Sequence, residues 1–134
     1  MIWLAAGYFD SQIPRGEPVL VCVWNEGAEL YWKAPRPAPS RHVIPWNLAE
    51  SRPDLFAEWA DDVLRNPPEW VVTDGLLLGP GVTDESVRAL AAGHGGRALT
   101  DTPSYARLRA FVRDEYAPAG GVGNLTILRR KPRN

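Results

Sequence analysis

Residues 16–45 read GEPVLVCVWNEGAELYWKAPRPAPSRHVIP, and their order decides the fold class. Pro18–Trp24 is a short apolar run, rich in β-branched residues and without polar alternation. That is the pattern of a strand covered on both faces. Asn25, Glu26 and Gly27 turn the chain, and Ala28–Ala34 has the length of about two helical turns. Four prolines between Pro35 and Pro45 then hold the backbone extended, with room for at most a short strand at His42–Ile44.

Working outward, Ile2, Ala5, Ala6, Phe9 and Ile13 recur at helical spacing until Pro14 and Gly16 break the pattern. Downstream, Ser51 stands where an N-cap belongs, ahead of Pro53 and Asp54. The helix it predicts turns Leu55, Phe56, Trp59, Ala60, Val63 and Leu64 to one side and stops at Pro67-Pro68. Glu69–Asp74 is a second strand of the buried type. Thr83 caps a helix with Val87, Leu90 and Ala91 inward, ended by glycines 93, 95 and 96. Thr102 and Pro103 open another, with Tyr105, Leu108, Phe111 and Val112 inward. Leu125–Arg130 reads as a last strand, entered through Gly123-Asn124, a tight-turn pair that predicts an antiparallel hairpin at the sheet edge. Strands alternating with helices predict one α/β domain over 1–134: a small three-layer sandwich with a mixed, mostly parallel sheet covered by helices.

The bulk composition excludes more than it suggests. At 134 residues, with 45% hydrophobic and 23% charged residues, the chain holds enough apolar side chains for one core. A formal net charge of -1 offers no basic surplus for nucleic acid. Cys22, the single cysteine, sits between Val21 and Val23 and reads as a small buried hydrophobe, so no disulfide framework or thiolate metal site is expected. His42 and His94 lack the spacing of a zinc pair, and His94 reads as a helix-end residue. No apolar run reaches the roughly 18 residues of a membrane span, and the first residues lack a signal-peptide pattern.

Few residues carry candidate chemistry. GGVGN (120–124) precedes a strand instead of linking strand to helix, and LLLGPGV (76–82) lacks the Lys-Ser/Thr of a phosphate loop. No G-x-S-x-G motif or nucleophile triad is present. Ligands of open α/β sheets sit beyond the carboxyl ends of parallel strands. Two loops qualify: the one after the first strand, with Trp24, Asn25 and Glu26, and the one after the central strand, with Asp74. With Glu29, Tyr31 and Trp32 they gather carboxylates and flat rings, a pairing suited to sugar hydroxyls and C–H faces. The competing reading makes those aromatics core or interface residues. Arg41 is a marginal candidate for phosphate or carboxylate. Arg129, Arg130, Lys131 and Arg133 form a basic end that suits either solvent or anionic lipid headgroups.

Four segments in sequence carry a family resemblance: VLVCVW (19–24), GAELYWKAPRPAPSRHVIP (27–45), NPPEWVVTD (66–74) and YARLRAFVRDEYAPAGGVGNLTILRRK (105–131). In order and spacing they resemble the soluble tail that follows the last membrane helix of bacterial polyprenyl-phosphate-sugar-dependent membrane glycosyltransferases, the mannosyl- and arabinosyltransferase-like group of GT-C type. The resemblance covers nearly the whole chain and none of that family's catalytic parts. Its catalytic carboxylate lies in the first extracytoplasmic loop and its lipid-linked donor binds among the spans. It therefore implies a non-catalytic extracytoplasmic domain without a cofactor, excised from a larger membrane protein. Such a domain braces its own transmembrane module or helps to bind an acceptor glycan, with anionic lipid headgroups as further partners. It places Arg41 and His42 where the family carries an Arg or His before an aromatic, here Trp46. The alternative is a free-standing cytoplasmic α/β module for a nucleotide or small metabolite, which the same strand-end crevice would serve.

Overall fold

Two apolar clusters, one on each face of a single sheet, account for the buried side chains. The computed structural model describes residues 2–23, 27–43, 45–93 and 102–133. Within them the order is α1 (Ile2–Gln12), β1 (Val19–Cys22), α2 (Gly27–Lys33), α3 (Pro45–Ser51), α4 (Pro53–Arg65), β2 (Trp70–Thr73), α5 (Asp84–Gly93), α6 (Pro103–Glu115), β3 (Tyr116–Val122) and β4 (Leu125–Arg130). The strands lie in the spatial order β1-β2-β4-β3.

β1 and β2 are parallel, with Val19 opposite Trp70 and Cys22 opposite Thr73. Every residue of both strands is buried, which is why neither alternates in sequence. Side chains nevertheless alternate in space. Leu20, Cys22, Val71 and Leu128 point to one face, under α3, α4, α5 and α6. Val19, Val21, Trp70, Val72 and Ile127 point to the other, under α1 and α2. The expected three-layer sandwich with a mixed, helix-covered sheet is therefore present, but the sheet is not mostly parallel: β1–β2 is parallel and the other two pairings are antiparallel.

The hairpin is present as well, turning at Gly123 with φ 59° between antiparallel β3 and β4. It supplies the two antiparallel pairings of the sheet, β2 with β4 and β4 with β3. β4 lies inside the sheet and β3 forms the edge. β3 has no strand signature, because its sequence YAPAGGV is rich in residues that weaken strands. An edge position tolerates them: Pro118 needs no donor on the open side, and the register slips between Pro118 and Gly120. The glycines allow close approach. A Cβ on Gly120 would lie 2.5 Å from the Tyr8 hydroxyl of α1, and one on Gly121 would lie 2.8 Å from the Leu125 carbonyl.

His42 and Val43 form no strand, within the expectation of at most a short one, and Ile44 lies outside the described residues. The segment is held by side chains instead: Ser40 Oγ accepts from the His42 amide at 3.1 Å and donates to Asp62 Oδ2 at 2.8 Å. Ser51 is also not an N-cap. It ends α3, a helix opened by Pro45, whose fixed φ suits a first turn. Arg52 stands in the cap position of α4 without a side-chain cap bond. Its amide donates to Leu48 and its carbonyl accepts from Phe56, so the two helices nearly abut. Thr83 does cap α5, through reciprocal bonds in which the Ser86 amide reaches Thr83 Oγ1 at 3.0 Å and the Thr83 amide reaches Ser86 Oγ at 2.9 Å.

The helical faces match their sequence spacing. Phe56, Trp59, Ala60 and Val63 of α4 are buried against Tyr105, Leu108 and Val112 of α6. Phe56 stacks on Trp59 with centroids 5.4 Å apart and leans on Tyr105 at 5.2 Å. The Tyr105 hydroxyl donates to the Leu77 carbonyl at 2.6 Å, and that of Tyr116 donates to the Pro68 carbonyl. Burial raises both phenols, Tyr116 to about 12. Cys22 is fully buried and its thiol is pushed well up by desolvation, as its apolar setting predicts.

One buried cation had no sequence signal. The Arg36 side chain has no exposed surface and binds Asp10 Oδ1 at 3.0 Å and the Ile13 carbonyl at 2.6 Å, with its guanidinium 5.4 Å over the Phe9 ring. It fastens the end of α1 to the proline-rich crossing, beside the bond from the Val19 amide to the Pro37 carbonyl. The Arg36 hydrogen bond, chiefly, holds the Asp10 carboxyl below its ordinary value. A depressed carboxylate stabilises the fold above the unfolded value of about 3.9, and that contribution is lost as pH falls through the folded value. Asp10→Asn should therefore flatten the acid limb of a stability-versus-pH curve and leave its neutral-to-alkaline shape alone. An unchanged acid limb would show that the pair contributes nothing.

Candidate functional site

Because β1 and β2 are parallel and in register at Cys22 and Thr73, the loops that leave them start side by side. After β2 the chain is turned by its own side chains. The Thr73 hydroxyl donates to the Leu78 carbonyl at 2.8 Å and accepts from the Gly75 amide at 3.0 Å. Asp74 Oδ1 accepts from the Leu76 amide at 3.1 Å, and Gly75 takes φ 82°. Such a turn needs a short acceptor followed by a residue at ease with positive φ. Half-buried Asp74 is thus fixed at the carboxyl end of the sheet, its charge close enough to Cys22 to raise that thiol further.

From the loop after β1, Trp24, Asn25 and Glu26 lie outside the described residues. Their neighbours on α2 divide into three roles. Tyr31 is built into the sheet: its hydroxyl accepts from the Val21 amide at 3.0 Å and donates to the Val19 carbonyl at 2.6 Å. It thereby closes the outer edge of β1 where another strand would pair, and burial raises its phenol strongly. Glu29 pairs with Lys33 one turn on, at 2.8 Å. Trp32 faces solvent with 76% of its surface exposed, whereas Trp46, Trp59 and Trp70 are buried. An indole that open is set for contact and not for the core.

Arg41 does not join this group. Its Nε and Nη2 both reach Glu58 Oε1 of α4, at 2.9 and 2.8 Å, on the helical layer opposite α2. His42 Nε2 lies 3.3 Å from the same oxygen but outside hydrogen-bond geometry, so it is a neighbour of the pair and not a bonded member. Trp46, the aromatic that the family pattern sets after Arg41, is a core residue. The structure therefore fixes Asp74 at the carboxyl end of the parallel strands and ties Arg41 elsewhere.

Among the described residues no group of three or more His, Cys, Asp or Glu could hold a metal ion. His94 lies outside them. No described helix is long and apolar enough to cross a membrane. A cleft of about 500 Å³ opens at the other end of the sheet, lined by Glu69, Arg129, Arg130, Lys131, Pro132 and Arg133. The strand-end rule points away from it, since Glu69 precedes β2.

No protein-family model matches the chain, and no curated protein matches it in sequence. Among solved structures it is similar to the C-terminal globular domain of an oligosaccharyltransferase from Archaeoglobus fulgidus. The identity is 13%, the match covers 98% of this chain and 97% of that one, and the TM-score is 0.48.

Proposed function

We propose that this chain is the extracytoplasmic C-terminal domain of a membrane glycosyltransferase that uses a lipid-linked sugar donor. In this reading it has no chemistry of its own. It braces the membrane module and presents the carboxyl end of its sheet to an acceptor glycan. The observation that carries the reading is where the family-like segments fall. VLVC is β1, AELYWK lies in α2, WVVT is β2, and the closing segment is α6 with the β3–β4 hairpin. The tyrosine of the LYW triplet is the residue that seals the β1 edge. The shared pattern thus describes a framework, and a framework persists where a domain serves as a support.

The glycan surface consists of Trp24, Asn25, Glu26, Glu29, the ring of Tyr31, Trp32 and Asp74. Arg41 stands apart with Glu58. A shallow site of this kind gains little over the water it displaces, and affinity on the order of millimolar is expected. Amide-shift mapping with oligosaccharides from the source organism's envelope should give shifts centred on residues 24–32 and Asp74. Trp32→Ala should abolish them while changing stability by less than about 0.5 kcal/mol, since the side chain is open to solvent. Shifts that survive in Trp32→Ala, or none at high ligand concentration, would leave only the bracing role.

The catalytic half of the reading has its own test. Incubated with polyprenyl-phosphate sugars and acceptors, the chain alone should give no transfer above a buffer blank. Protein-dependent turnover would overturn it.

A further inference from the structure

We propose that the cleft at the amino-terminal end of the parallel strands is a binding site for a phosphate group. Four cationic side chains and one carboxylate line it. The carboxylate is already engaged: Glu69 Oε1 lies 3.2 Å from Arg129 Nε, and that guanidinium sits 4.8 Å over the Trp70 ring. Arg130 is differently placed. Its side chain leaves β4 on the opposite face and its guanidinium lies 5.4 Å over the Phe111 ring. It forms no ion pair among the described residues, and its Nε is buried without an acceptor. A buried donor of that kind is costly to leave unmade, and an arginine flattened on a ring holds its fork ready for a two-oxygen ligand.

Two further cations complete the lining. Lys131 donates from Nζ to the Asp114 carbonyl at 3.0 Å, which anchors its stem, with the Asp114 carboxylate within reach of its charge. Arg133 is exposed and makes no ion pair among the described residues. Of the nearby acids, Asp114 pairs with Arg113 at 3.0 Å and Glu17 accepts from the Trp70 indole, while the Glu115 backbone carbonyl receives the Lys131 amide at 2.7 Å. The cleft therefore carries a surplus of positive charge in a chain whose net charge is -1. A phosphate offers oxygens for the Arg130 fork and negative charge for Lys131 and Arg133. A lipid headgroup and a soluble phosphate ester share that chemistry.

Titration of the 15N-labelled chain with inorganic phosphate at low ionic strength tests the site. Saturable shifts are expected at Glu69, Phe111, residues 129–131 and Arg133, with none from chloride at matched ionic strength. Arg130→Gln should weaken binding by about tenfold, the factor lost with one charge-assisted bond. Arg133→Gln should weaken it less. Arg15→Gln, at the end of α1, should leave it unchanged. If Arg130→Gln perturbs the fold, Arg133→Gln decides, because that side chain is exposed. Cosedimentation with phosphatidylcholine vesicles, with and without phosphatidylglycerol, separates the sources. Phosphate saturation with inert vesicles assigns a soluble phosphate, and phosphatidylglycerol-dependent binding lost in Arg133→Gln assigns a headgroup. No saturation together with inert vesicles, or binding indifferent to both substitutions, overturns the site. Failure here leaves the acceptor reading standing, since the two surfaces lie at opposite ends of the sheet.

Discussion

Trp59→Ala is expected to destabilise the chain by about 3–5 kcal/mol, a large share of the roughly 5–15 kcal/mol that holds an ordinary domain folded. The indole is fully buried at the centre of the α4–α6 layer, stacked on Phe56, which itself leans on Tyr105. Truncation removes a large apolar transfer term and leaves a cavity whose walls are held on several sides. Collapse of one wall is opposed by the Tyr105 hydroxyl, which is tied to the Leu77 carbonyl. Urea unfolding followed by circular dichroism gives the loss directly. A loss below about 1 kcal/mol would mean that the α4–α6 layer is not part of the core.

Tyr31→Phe carries the second large effect, about 1–3 kcal/mol for removal of a single oxygen. The ring is retained, so packing is nearly unchanged. What goes is the bond pair with the Val21 amide and the Val19 carbonyl, which strands two backbone groups at the edge of β1. Amide exchange adds a local reading: the Val21 amide should lose protection more than the amides of β2. Equal loss throughout the sheet would assign the effect to packing, and no loss would remove Tyr31 from the framework. The same variant separates fold from recognition, because a glycan stacked on the ring would still bind.

Much of this architecture was legible in the residues, for identifiable reasons. β1 and β2 declared themselves because burial on both faces demands uninterrupted apolar runs. α4 and α6 did so because burial on one face imposes a 3.6-residue period. α3 was hidden, since its seven residues are too few to show a period and Pro45 reads as readily as a breaker as an opener. β3 was hidden because an edge strand needs neither apolar continuity nor a full set of donors. The site was legible only as residue types. Spacing put Tyr31 beside Trp32, but only the geometry shows one facing the sheet and the other facing water. The Arg130 fork over Phe111 joins residues far apart in sequence, and no local pattern announces it.

The position of β4 has a consequence for how the domain comes into being. Of the four described strands, the latest in sequence is an inner one, flanked by β2 on one side and β3 on the other. Until residues 125–130 emerge, β2 has an unpaired edge and each cluster lacks its β4 member, Leu128 on one face and Ile127 on the other. Synthesis at about 5–20 residues per second thus exposes the nascent α/β half for seconds before its sheet can close. Loss of residues 125–130 would remove a keystone and not a fringe. Chaperone dependence during translation, and sharp intolerance of lesions within β4, are the marks such a wiring would leave.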